Sequence, residues 1–141
     1  MIECGRQEEM VQYLKDKLQW IPSPAARTIG SVNADGRILG VVGYDNWNHA
    51  SCTMDMAGEP GWITRDMIWA AFDYPFNVLG CKVVIASVAS SNTRAMRIDD
   101  RLGFKTECVI PSAHPRGDLV IRSMRKEDCV WLKKLEGIYH G

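Results

Sequence analysis

The sequence predicts an α+β domain in which helices cover both faces of a mixed, mostly antiparallel sheet. Three observations carry this. The β-like runs Arg27 to Asn33 and Arg37 to Tyr44 are joined through Ala34-Asp35-Gly36, and Asp-Gly between such runs is a strong hairpin signal. Ala50, Cys52, Met54 and Met56 alternate with Ser51, Thr53 and Asp55, the period of a strand with one buried face. Val83 to Ala89 shows no alternation, as in a strand covered on both sides.

The remaining elements follow in order. Gln7 to Leu18 places Met10, Val11, Leu14 and Leu18 at helical spacing with charges between them, an amphipathic first helix. Pro22 and Pro24 make the next stretch a loop. Trp47-Asn48-His49 is a turn, and Gly58-Glu59-Pro60-Gly61 ends the alternating strand. Thr64 caps a helix from Arg65 to Asp73, with Met67, Ile68, Ala71 and Phe72 inward. Pro75 lacks the N–H a helix needs, which predicts a kink or stop near Tyr74. Asn92 to Leu102 is a second helix closed by Gly103. Phe104 to Ile110 and Asp118 to Met124 are strands across a loop, Pro111 to Gly117, and Lys126 to Leu135 is a closing helix with Gly137 beyond it. Met1 to Glu3 are too few for a full first strand.

The chain has 141 residues, 46% apolar and 24% charged, which fits one domain, 1–141, with its own core. Lysine plus arginine and aspartate plus glutamate are both 17, without the positive surplus that sequence-independent nucleic-acid binding needs. The five cysteines (Cys4, Cys52, Cys81, Cys108, Cys129) are scattered and odd in number; they read as reduced thiols in a cytoplasmic protein rather than staples. His49, His114 and His140 lack zinc spacing, so no metal site is expected. Acidic residues and the lack of a long apolar run exclude a signal peptide or membrane span at the N-terminus. No Gly-x-Ser-x-Gly elbow is present.

One segment points to a chemistry. Ser91-Asn92-Thr93-Arg94-Ala95 opens a helix after a buried strand, and Arg101-Leu102-Gly103-Phe104 closes it. This Asn-x-x-Ala followed by x-Leu-Gly-Phe resembles the acyl-CoA-binding half of the GNAT superfamily, the acetyl-CoA-dependent N-acetyltransferases. Together with Phe72-Asp73-Tyr74-Pro75-Phe76-Asn77-Val78-Leu79-Gly80 before the strand and Lys105-Thr106-Glu107 after the helix, it is closest to the branch acetylating ribosomal-protein N-termini and small amines. The resemblance implies a splayed sheet, acetyl-CoA as co-substrate, direct transfer to an amine acceptor, and allows a homodimer.

The resemblance also implies a site. Its pyrophosphate loop corresponds to Gly58 through Thr64, with Gly61 at the central glycine and Trp62, Ile63 and Thr64 leading into the helix, whose N-terminal amides suit an anion. The match is degenerate: Pro60 removes a donor and Glu59 brings a negative charge. Met56, with Ala57 beside it, would present a backbone amide to the thioester oxygen, an oxyanion-type contact. Asn92 and Ala95 would meet the pantetheine arm. Arg94, Arg97 and Arg101 share one helical stripe, which either meets the phosphates or faces solvent. Asp55 is the nearest acid to take the amine proton, with His49 and Asp45 less well placed. Where many members carry a Tyr to reprotonate the thiolate, five residues before Phe104, this chain has Asp99. Trp20, Trp47 and Trp62 are expected near the acceptor cleft. The alternative is a catalytically degenerate acyl-CoA-binding or protein-interaction module on the same fold.

Overall fold

Seven strands pair in the order β1-β2-β3-β4-β5-β7-β6 in the computed structural model, which describes residues 1–139. His140 lies outside the described residues. The strands are β1 (Ile2–Glu3), β2 (Arg27–Val32), β3 (Ile38–Asp45), β4 (Ser51–Gly58), β5 (Val83–Ala89), β6 (Lys105–His114) and β7 (Gly117–Arg125). The helices are α1 (Gln7–Lys17), α2 (Arg65–Asp73), α3 (Thr93–Leu102) and α4 (Val130–Tyr139). Among the described residues only β4 and β5 pair in parallel; the other neighbours are antiparallel.

Helices cover both faces. Met10 and Leu14 of α1 are fully buried against Val41, with Ala57 and Trp20 packed around them. Gln7 locks the start of α1 to β2: its Oε1 accepts from the Thr28 amide at 2.9 Å and the Thr28 hydroxyl at 3.0 Å. On the other face Val42, Tyr44, Met54, Met67, Phe72 and Leu132 form the main core, joined by Ile98 and Leu102 of α3. Arg122 of β7, 4% exposed, fastens α3 to the sheet by donating to the Met96 and Phe104 carbonyls at 3.1 Å and pairing with Asp100.

The expected interruption at Pro75 takes a particular form. The helix continues as a π turn, Tyr74–Val78, in which the Leu79 amide reaches the Tyr74 carbonyl at 2.9 Å. Widening a turn is how a helix absorbs a missing donor. The Ala71 carbonyl, which residue 75 would otherwise serve, accepts instead from the Tyr44 hydroxyl at 2.6 Å.

Several sequence expectations need correction. Ile2 and Glu3 do form a short first strand, against Ser31 and Gly30. The loop expected at Pro111 to Gly117 is only the two residues between His114 and Gly117, because β6 continues through Pro111; an edge strand tolerates the lost donor. Lys126–Asp128 is a 3₁₀ turn, and α4 starts only after Cys129, whose extended backbone seats a fully buried side chain. Gly137 falls inside α4 rather than after it.

Candidate active site

The sheet opens at one place. β4 and β5 pair only from Ser51↔Val83 to Thr53↔Ile85, and beyond that both strands continue without pairing. The opening is lined by Met54, Asp55 and Met56 from β4, Ala86 to Ala89 from β5, and Asn92, Ala95 and Asp99 from α3. A second hollow continues from it, lined by Tyr13, Ala57, Gly58, Glu59, Pro60, Trp62, Arg94 and Ile98. Met56, Asn92, Ala95 and Asp99 belong to both, so they mark the junction.

The β3–β4 ladder sets the direction of the β4 amides. The Glu59 amide donates to the Leu39 carbonyl at 2.8 Å, in register with Gly40↔Gly58. Bonded and non-bonded positions alternate along an antiparallel pair. Thr53, Asp55 and Ala57 therefore bond to β3, and the amides of Met54, Met56 and Gly58 turn toward β5. Past Thr53, β5 has diverged, so the Met56 N–H points into the opening.

Side chains alternate the opposite way. Met54 is buried in the main core, while Ala57 packs on the α1 side. Asp55 shares that side, half-buried, with Lys17, Leu18 and Gln19 along the same wall. Burial, with the negative charges of Asp99 and Asp45, pushes the Asp55 carboxyl up to about 7, against a hydrogen bond from Trp20. Trp20 and Leu14 lie over Gly43, the cross-strand partner of Asp55; a β-carbon there would sit 2.9 Å from the indole. Glycine is what lets the ring approach the carboxyl.

Asp99 is a group that sequence reasoning left without a task. It is 4% exposed, and among the described residues its Oδ2 has no hydrogen-bond partner. Burial raises its carboxyl to about 6, with Arg122 lowering it and Asp100 raising it. The signal available beforehand was its helical position: Asn92, Ala95 and Asp99 lie at i, i+3 and i+7, one face of α3.

The loop after β4 keeps backbone donors. The Trp62 amide bonds Glu59 and the Thr64 amide bonds Trp62, each at 3.1 Å, whereas the Gly61 and Ile63 amides have no partner among the described residues. Gly61 has φ +85, a left-handed value that favours glycine. Thr64 caps α2, its Oγ1 accepting from the Met67 amide at 3.2 Å. Glu59 is paired with Arg37 at 2.6 Å. Arg94 lines the second hollow, and the Gly61 and Ile63 amides are donors left unbonded in the loop beside it.

Other expected site residues have structural tasks or sit elsewhere. Ile63 packs into the core and Trp62, 3% exposed, lies flat on Gly40 and Gly58. Asn92 spends its Oδ1 on the Ala95 amide at 3.1 Å, as a helix cap, leaving its NH₂ group. Arg97 and Arg101 are exposed and line neither hollow; Arg94 does. Arg97 and Arg101 fall outside because the face of α3 that borders the hollows carries Asn92, Ala95, Ile98 and Asp99, and of the three arginines Arg94 alone lies at its edge. His49 is exposed in the turn before β4, its ring tilted against Trp47 at 4.1 Å between ring centroids. That is the end where β4 and β5 still pair, so the structure does not bring His49 or Trp47 to the opening. Asp45 accepts from the Ser23 amide and hydroxyl at 2.6 Å each and from the Asn46 amide at 2.8 Å, holding a turn. No group of three His, Cys, Asp or Glu side chains is placed to hold a metal among the described residues.

No family model and no curated protein matches the chain. Solved structures do. A spermidine N-acetyltransferase chimera of Vibrio cholerae SpeG and hSSAT superposes with a TM-score of 0.73 at 16% identity, covering 92% of this chain and 99% of that one. A mutant form of the spermidine/spermine N-acetyltransferase SpeG from Vibrio cholerae gives 0.65 at 20% identity, covering 89% and 80%. The mixed sheet that splays between β4 and β5 is the fold of these acetyltransferases.

Proposed function

We propose that this protein transfers an acetyl group from acetyl-CoA to a primary amine by direct attack in one ternary complex. The observation that carries the reading is the junction: an amide, Met56 N–H, aimed into a strand gap, with the Asp55 carboxyl on the adjoining wall. In this reading the Gly61 and Ile63 amides, Arg94 and the first turn of α3 receive the phosphates, while Asn92 and Ala95 border the pantetheine arm. Thr64 supports the loop by capping α2. The Met56 amide stabilises the oxyanion that develops on the thioester carbonyl. Asp55 takes the proton from the attacking amine, directly or through water; a carboxyl raised toward neutrality suits that task.

The solved structures with this fold act on polyamines by name, so small amines come before protein N-termini as acceptors to test. The unpaired cysteines agree with a reducing compartment such as the cytoplasm. The testing experiment follows free thiol while the protein is incubated with acetyl-CoA and a panel of polyamines, small amines and N-terminal peptides. Amine-dependent thiol release with acetylated amine as product is the expected result. CoA binding without transfer to any amine would favour the non-catalytic interaction module, on whose side Pro60 and the acidic Glu59 already weigh.

A further inference from the structure

We propose that Asp99 is the catalytic acid of this site, the group that gives its proton to the sulfur as the thioester breaks. The inference rests on the acetyl-transfer reading above and assigns a second carboxyl within it. Asp99 is nearly fully buried on α3, yet it lines both hollows at the junction where Met56 also stands. If the Met56 amide holds the carbonyl oxygen, the carbon and sulfur of the same thioester lie within a bond or two of that point. A buried carboxylate oxygen without a hydrogen-bond partner costs free energy, which the nearby Arg122 charge offsets only in part. The Oδ2 of Asp99 is such an oxygen. A carboxyl holding its proton at that spot has an acceptor once a thiolate forms beside it.

The charged surroundings set when the proton is present. Arg122 approaches from β7 and Asp100 stands on the same helix; Asp55 faces Asp99 across the opening, whose walls also carry Lys17, His114 and Arg116. Two carboxyls across one gap resist ionising together, so the pair retains a proton to higher pH than either would alone. Burial raises Asp55 further than Asp99, so the reacting form, with Asp55 ionised and Asp99 protonated, is the minor arrangement of that proton. The step balances. The amine lone pair forms the C–N bond, and Asp55 accepts the N–H proton. The C–S bond then breaks with its electron pair on sulfur, and the Asp99 O–H proton moves to that sulfur. Asp55 ends protonated and Asp99 ionised, and exchange with solvent restores both.

Two variants, Asp99→Asn and Asp99→Ser, test this in the full chain, each checked for folding by its melting temperature. The expected result is a fall in kcat of about 10²-fold with the Kd for CoA unchanged. A second readout does not depend on turnover: the thiol of bound CoA, followed by the ultraviolet absorbance of its thiolate. A neighbouring carboxylate disfavours a second negative charge, so that thiol should titrate at lower pH in the variants than in the parent. Unchanged kcat, or an unchanged thiol titration, overturns the assignment. A parent that binds CoA but acetylates no amine contradicts the proposed function instead, and the thiol titration still decides whether Asp99 adjoins the sulfur.

Discussion

Arg37, in the turn of the β2–β3 hairpin, reaches Glu59 in the loop after β4, Nη1 to Oε1 at 2.6 Å. The acidic side chain that seemed to spoil the anion loop is therefore paired with a cation 22 residues away in sequence. Both groups are exposed, so the pair itself adds little to stability, within about 1 kcal/mol. Its effect falls on the ligand. Arg37→Ala should weaken CoA binding several-fold by freeing the Glu59 charge, and Glu59→Gln should tighten it. Both effects should shrink as salt screens them. Calorimetric titration at two ionic strengths checks this.

Arg94, Arg97 and Arg101 should now behave differently from one another. A charge-assisted contact to phosphate is worth roughly 1.5–3 kcal/mol, so Arg94→Ala should lose about 10-fold or more in CoA affinity. Arg97→Ala and Arg101→Ala should stay within about 0.5 kcal/mol of the parent. Comparing CoA with its analogue lacking the 3′-phosphate shows whether Arg94 meets that group.

The fold was largely legible in the chain, and the site only partly. The Asp35-Gly36 hairpin, the β4 alternation and the Asn92 cap are local signals, and each appears where the residues put it. What escaped was long-range. The extension of β6 past Pro111 depends on its place at the sheet edge, and the start of α4 depends on where Cys129 is buried. The partnership of Arg37 with Glu59 spans two hairpins. The burial of Asp99 and its unpartnered oxygen are products of tertiary packing, to which its helical spacing from Asn92 and Ala95 is the one local pointer. His49 was already the less well placed base in the sequence, and six residues along a strand carry it to the paired end, away from the opening.

Gly58 and Gly40 face each other across β3 and β4 beneath the Trp62 ring. A β-carbon at Gly58 would lie 2.5 Å from the indole. Gly58→Ala should displace the ring and cost about 1–3 kcal/mol, as overpacking does. A lowered melting temperature checks this, and Trp62→Phe in the same chain should recover part of the loss.

In the proposed mechanism Asp55 links catalysis to stability through pH. Its folded carboxyl, raised to about 7, sits above the unfolded value of about 3.9. The folded state therefore binds more proton between those values, and stability falls as pH rises through that window. Asp55→Asn removes this penalty. Its melting temperature should exceed the parent's at pH 8, and the gap should narrow toward pH 4. Turnover should fall by about 10²-fold. A fall in turnover with no change in the pH dependence of melting would mean that the Asp55 carboxyl is not held near neutrality.

The central claim, that the gap between β4 and β5 is the acyl-CoA slot, is tested most directly by titrating CoA into the parent and into Ala95→Phe. Ala95 is half-buried on α3 and borders both hollows, so a phenyl group there fills the junction. The account predicts one binding site in the parent, accompanied by a rise in melting temperature, and loss of that binding in a variant that still folds. Equal CoA affinity in both proteins, or no binding heat and no melting shift in the parent, would contradict it.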